Sequence, residues 1–125
     1  MSINGIMPFF IVTSIDAALD VYRDRLGFEV VVLEPVDKPF LAIVQREGAA
    51  IMLKEVGVAP LPNSKRHVDA RWDAYLDVSD PDALAEEFQG RDVAFSEKLA
   101  DTHDGLRGFE VRDADGYVLF FGRPR

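Results

Sequence analysis

The chain has 125 residues, 48% hydrophobic and 29% charged, which places it as a single globular domain able to bury its own core. Cysteine is absent, so disulfides, thiolate nucleophiles and cysteine zinc sites are excluded. The 22 acidic against 14 basic residues give a formal charge of −8, a sign that repels phosphate backbones and admits cationic small molecules.

No apolar run approaches the roughly 18 to 20 residues of a membrane span, and no basic segment followed by an apolar one stands at the N-terminus. Neither nucleic acid nor membrane is expected as a partner, and a cytoplasmic location is the expectation.

In chain order, Gly5 to Thr13 holds the strand-like run Ile6-Met-Pro-Phe-Phe-Ile-Val12, where Pro8 lacks a donor and argues for an edge position or a strand start. Thr13 or Ser14 offers an N-cap for a helix over 15–26. Ile15, Ala18, Leu19, Tyr22 and Leu26 line one face of that helix, and Gly27 ends it. Strands follow over 28–33 and 39–45, joined by a proline-containing connection over 34–38. A hairpin spans Val44 to Lys54 with Gly48 at its turn.

The stretch from Gly57 to His67, with Pro60, Pro62, Asn63 and Ser64, reads as a linker. Arg71 to Val78 alternates as a strand whose buried parity is Trp72, Ala74, Leu76 and Val78. That parity assigns Trp72 to packing under the next helix. Ser79 or Asp80 caps this helix, with Pro81 in its first turn. Asp92 to Ser96 reads as a short strand and Glu97 to Gly105 as a loop. The closing hairpin runs from Leu106 to Arg123, with Gly116 supplying the positive φ of its turn.

The two halves repeat. Shifting the first hairpin by 68 positions lays Glu47 on Asp115, Gly48 on Gly116, Ile51 on Leu119 and Met52 on Phe120. A shift of 66 matches Val12 to Val78, Ala17 to Ala83 and Tyr22 to Phe88. A duplicated strand-helix-three-strand unit follows, with module 1 at about 4–56, a linker at about 57–69 and module 2 at about 70–125.

Leu19-Asp-Val-Tyr-Arg-Asp-Arg-Leu-Gly-Phe28, followed by Phe109-Glu-Val-Arg-Asp-Ala-Asp-Gly116, resembles the vicinal oxygen chelate superfamily of glyoxalases, extradiol dioxygenases, fosfomycin-resistance enzymes and bleomycin resistance proteins. The resemblance covers nearly the whole chain. It implies an α+β fold of two tandem βαβββ modules forming an incomplete mixed barrel, helices outside, around a concave cavity. Strand alternation then turns Pro8, Phe10 and Val12 toward the helix, and Met7, Phe9, Ile11, Met52, Asp73, Tyr75, Asp77, Glu110 and Phe120 toward the cavity.

In the metal-dependent members the ligands sit on the first and last strands of each module, and those positions here are Met7, Met52, Asp73 and Phe120. Two thioethers and a phenyl ring are not donors for zinc, nickel or iron, so neither a metal nor a cofactor is expected. His67 and His103 stand in linker and loop.

The resemblance therefore points to a metal-free small-molecule binding protein of the bleomycin-resistance type. It would be a homodimer that sequesters an amphipathic or cationic ligand in an aromatic-lined cavity built from Met7, Phe9, Met52, Asp73, Tyr75, Glu110 and Phe120, with no catalytic residue assigned. Asp73, among apolar neighbours, is expected to pair with Lys54 or a cationic ligand, and Arg107 with Glu110 or Asp113. The alternative is a glyoxalase- or dioxygenase-like metalloenzyme with a displaced metal site.

Overall fold

In the computed structural model, which describes residues 1–125, each half of the chain forms one four-stranded sheet backed by one helix. The first half contributes β1 (Phe9–Ile11), α1 (Ile15–Leu19), β2 (Glu29–Glu34), β3 (Leu41–Arg46) and β4 (Ala49–Lys54). The second contributes β5 (Ala74–Asp77), α2 (Pro81–Gly90), β6 (Glu97–Asp101), β7 (Leu106–Arg112) and β8 (Val118–Pro124). The sheet orders are β1-β4-β3-β2 and β5-β8-β7-β6, with β1–β4 and β5–β8 parallel and every other pair antiparallel. The sheets stay separate and no barrel closes. Neither helix is long and apolar enough to cross a membrane.

The repeat read from the sequence is visible in the registers. Phe9 pairs with Met52 in the first sheet and Tyr75 with Phe120 in the second, which are equivalent positions under the shifts of 66 and 68.

Local chemistry sets the helices. The Ser14 hydroxyl accepts the Ala17 N–H at 3.2 Å, and α1 runs on as a π-helix over Asp20–Arg25, where the Leu26 N–H reaches the Val21 carbonyl at 2.8 Å. Asp80 caps α2 by accepting the Ala83 N–H at 3.0 Å, with Pro81 in the first turn, where its missing donor costs nothing.

Three sequence readings change. The segment expected as a loop from Glu97 is strand β6, whereas Asp92 to Ser96 forms no strand. A polar, exposed edge strand lacks the apolar alternation that marks strands, and its pairing is imposed by β7, Asp101 opposite Arg107 and Glu97 opposite Glu110. At the first hairpin the positive φ falls on Glu47 (50°) and not on Gly48, because the two-residue loop there is shorter than the turn that places Gly116 at 88°.

The core lies between helices and sheets and joins both halves. Phe10, Val12, Ile51 and Leu53 pack from the first sheet, and Phe109, Leu119 and Phe121 from the second against Phe88 of α2. The turn after β7 docks into the first half. The Tyr117 ring stacks on Phe10 at 4.2 Å, and its hydroxyl donates to the Ile11 carbonyl at 2.8 Å. Beside it the Tyr22 hydroxyl donates to Asp113 Oδ2 at 2.6 Å, while Asp113 Oδ1 accepts the Asp115 and Tyr117 amides. Burial pushes the Asp113 carboxyl up from its ordinary range, and the Tyr22, Tyr117 and Asp115 donors pull against that.

Tyr22→Phe is expected to cost about 1.5–3 kcal/mol in urea unfolding near neutral pH, the worth of a hydrogen bond to a charged group. Because the Tyr22 donor favours the ionised carboxyl, that cost is present above the raised Asp113 pKa and shrinks as pH falls through it. Paired unfolding curves at several pH values check both statements.

Candidate ligand-binding site

Strand alternation gives each sheet a helix face and an open face. In and beside β1, Phe10 and Val12 are buried in the core, while Met7 and Phe9 (53% exposed) are on the open side. On β5, Ala74 and Leu76 pack on the core while Tyr75 (41% exposed) and Asp77 are turned outward.

The open face of the second sheet carries an aromatic stack. Phe120 projects from the central strand β8 and is only 3% exposed. Its ring lies over the cross-strand pair Gly108 and Gly122, where a Cβ would come within 2.6 Å of Phe120 Cζ or 2.5 Å of its Cε2. A Cβ at either position would also meet the facing backbone, the Phe121 carbonyl at Gly108 and the Arg107 carbonyl at Gly122, so both ring and strand need glycine there. Trp72 stacks on Phe120 at 4.1 Å and 21°, and Tyr75 flanks the same ring at 5.8 Å and 17°. Trp72 is half-buried.

This overturns the assignment of Trp72 to the core under α2. Strand parity does not reach back to Trp72, because β5 begins only at Ala74. Before it the chain bends, because the Asp73 carboxylate accepts the Val118 N–H at 2.8 Å and the Asn63 N–H at 3.1 Å. Those backbone amides, and not Lys54, are the partners of Asp73.

Glu110 is next to Phe120 across the β7–β8 ladder and is 1% exposed. Arg71 meets it with Nη2 at 2.6 Å and Nε at 3.1 Å, and the Ser96 hydroxyl donates at 2.7 Å. The Glu110 carboxylate holds the Arg71 guanidinium further above its already high range. Arg107 pairs elsewhere than expected, with Asp82 at 2.7 Å and Asp101 at 3.1 Å, because it leaves β7 on the side of α2 and β6. Burial and then the Asp77 charge push the Tyr75 phenol up, so it remains a hydrogen-bond donor.

The expected residues thus fall into three places. Phe9 and Met52 are cross-strand neighbours on the first sheet. Glu110 and Phe120 join Tyr75 on the second. Met7, Asp73 and Tyr75 also line a cleft of about 860 Å³ between the β3–β4 hairpin and the β5–α2 segment, whereas Phe9, Met52, Glu110 and Phe120 do not.

No group of three or more histidine, aspartate or glutamate side chains is arranged to hold a metal ion. Of the four positions that the resemblance assigns to metal ligands, Asp73 alone has donor oxygens, and these already accept backbone N–H groups. Both histidines are exposed beside Asp69, at 3.6 Å for His67 and 3.8 Å for His103.

Sequence reasoning missed Arg71, Gly108 and Gly122. The signals were available: a buried glutamate requires a cation, and two glycines interrupting paired strands mark a close approach.

A family model described as the glyoxalase/bleomycin resistance protein/dioxygenase superfamily matches residues 2–121. Among solved structures, the chain is similar to TioX from Micromonospora sp. ML1, with 23% identity and a TM-score of 0.77 over 98% of this chain and 99% of that one. It is similar to the bleomycin-binding protein of Streptomyces verticillus, solved with copper(II)-bleomycin, with 23% identity and a TM-score of 0.71 over 100% and 99% of the two chains. TnmS3, an antibiotic-binding protein from Streptomyces sp. CB03234, shares 25% identity with a TM-score of 0.71 over 100% and 99%. No curated protein matches the sequence.

Arg71→Met leaves Glu110 charged and buried and is expected to lower stability by about 3–5 kcal/mol. Arg71→Met combined with Glu110→Leu restores most of that loss, because no buried charge remains. Chemical denaturation of the single and double variants separates the two outcomes.

Proposed function

The chain belongs to the glyoxalase/bleomycin resistance protein/dioxygenase superfamily, and on that premise we infer that it is a metal-independent binding protein. It holds a flat, amphipathic small molecule against the Trp72–Phe120–Tyr75 stack. The observation that carries this reading is the half-buried Trp72 ring, backed at 4.1 Å by Phe120 on a floor of two glycines. Such a platform is rigid, apolar and open on one side, which suits stacking of a planar group. Two relatives of similar fold carry names that state antibiotic or bleomycin binding, which supports the same class of ligand.

The acids expected to attract a cation on this face are already satisfied, Glu110 by Arg71 and Ser96 and Asp73 by backbone amides. Of the acids turned outward here only Asp77 keeps a carboxylate without a close partner, so recognition on this face rests first on the ligand's flat apolar part. Asp73 is also a poor general base for the same reason. Metal independence rests on the donor set: two thioethers and a phenyl ring do not bind divalent ions, and the remaining carboxylate has other partners.

The protein acts as a homodimer in this reading. In and beside the first sheet Met7, Phe9, Val31 and Phe40 are exposed, and a second copy covers apolar side chains of this face and encloses the ligand. Met7, Phe9 and Met52 then form the opposite wall of the cavity.

Trp72 is the single tryptophan, so its fluorescence reports the platform directly. Titration with metal-free bleomycin and with planar aromatic antibiotics is expected to quench it saturably, with a dissociation constant below about 1 mM for at least one ligand. Trp72→Ala is expected to weaken that ligand by about ten-fold or more in calorimetry, some 1.4 kcal/mol. Absence of binding across the panel contradicts the reading. Sedimentation at micromolar concentration is expected at twice the 14.0 kDa chain mass, and a monomer there removes the shared cavity.

A further inference from the structure

The two halves meet along two pseudo-equivalent seams, and only one is filled. Since Phe9 and Met52 correspond to Tyr75 and Phe120, Phe10 corresponds to Leu76 and Ala49 to Tyr117. Ile43 and Glu110, the partners of Met52 and Phe120, correspond as well, which puts Arg46 at the position of Asp113. At the closed seam the Tyr117 phenol stacks on Phe10 and Asp113 accepts from Tyr22. At the other seam Ala49 offers only a methyl group toward Leu76. Arg46 lies over Phe88 at 5.9 Å with its guanidinium held by Glu87 and the Leu26 carbonyl, each at 2.8 Å. The cleft of about 860 Å³ opens there.

Its floor is apolar, with Phe28, Ile51, Leu76, Leu84 and Phe121. Arg46 is the one cationic side chain in its lining, and Glu87 neutralises it. Of the other acids, Asp73 accepts backbone amides and Asp80 caps α2, while the Glu47 and Asp77 carboxylates make no hydrogen bond or close ion pair, although Glu47 lies within the field of Arg46. The cleft therefore combines an apolar floor with two exposed carboxylates, Glu47 and Asp77, in a chain whose net charge of −8 concentrates cations near its surface.

We propose that this cleft is a second ligand site, which adjoins the Trp72 platform at Tyr75 without including Trp72 or Phe120 and is selective for arylalkylammonium compounds. The aryl ring takes the place that the Tyr117 phenol fills in the closed seam, and the ammonium faces Glu47 and Asp77. The inference goes beyond the platform reading and does not depend on it.

The test is an amide-resolved NMR titration of the whole chain with 2-phenylethylammonium chloride, and with 3-phenylpropionate as the anionic counterpart. Saturable shifts are expected at Ala49, Leu76 to Ser79 and Leu84, with the anion binding at least about five-fold more weakly. Ala49→Tyr supplies the missing ring and is expected to weaken the ammonium probe by about ten-fold or more while raising the melting temperature. It leaves quenching of Trp72 by platform ligands unchanged. Glu47→Lys, on an exposed hairpin turn, removes binding of the ammonium probe by charge alone and decides the matter if Ala49→Tyr does not fold. Shifts confined to Trp72 and its neighbours, equal binding of the two probes, or unaltered binding by Ala49→Tyr or Glu47→Lys would overturn the proposal, as would no shift up to about 10 mM probe.

Discussion

Everything in this molecule depends on the docking of the closing hairpin turn into the first half of the chain. Neither half buries both faces of its own sheet, and each has one helix to cover one side. Tyr117 on Phe10, with Tyr22 on Asp113 beside it, ties the helix side of the first sheet to the second and makes one core from both modules. The open faces are left over by that arrangement. A fold that buries its helix faces internally must present its other sheet faces to something else, and the exposure of Phe9 and Tyr75 is the direct result.

The second sheet then builds a surface suited to stacking. Phe120 lies over Gly108 and Gly122, where side chains would collide with its ring, and Trp72 covers its other side. Charge is handled by pairing at the edge of this platform. Arg71 and Glu110 neutralise one another with help from Ser96, so a carboxylate 1% exposed is tolerated beside an aromatic stack. The result is an apolar plate whose buried acid is paired at its edge, where binding is set first by shape and stacking.

Much of this was legible in the sequence, and the failures share one cause. Caps at Ser14 and Asp80, the Gly116 turn, the edge position of β1 and the repeat were set by local rules, and the structure keeps them. The family resemblance carried the fold class. What failed was set by partners far away in sequence. β6 is a strand because β7 pairs with it, and Trp72 leaves strand parity because Asp73 turns to amides at Asn63 and Val118. Arg107 finds Asp82 of α2, and Arg71 takes Glu110, the glutamate expected for Arg107. Alternation predicts which way a residue points only as long as the strand continues, and no periodicity shows where a carboxylate will bend it. The asymmetry between Ala49 and Tyr117 stood in the sequence at equivalent repeat positions, but its consequence needed both seams in three dimensions.

The most direct test of the central claim is the indole N–H resonance of Trp72, a single peak in a chain with one tryptophan. Titrated with a planar amphipathic ligand that binds by calorimetry, that resonance is predicted to shift together with the amides around Phe120 and Tyr75, saturating at the calorimetric affinity. If every planar ligand that binds, arylalkylammonium probes of the cleft set aside, leaves the indole peak fixed, the account is contradicted, because the stack would then be packing alone and the binding face would lie elsewhere.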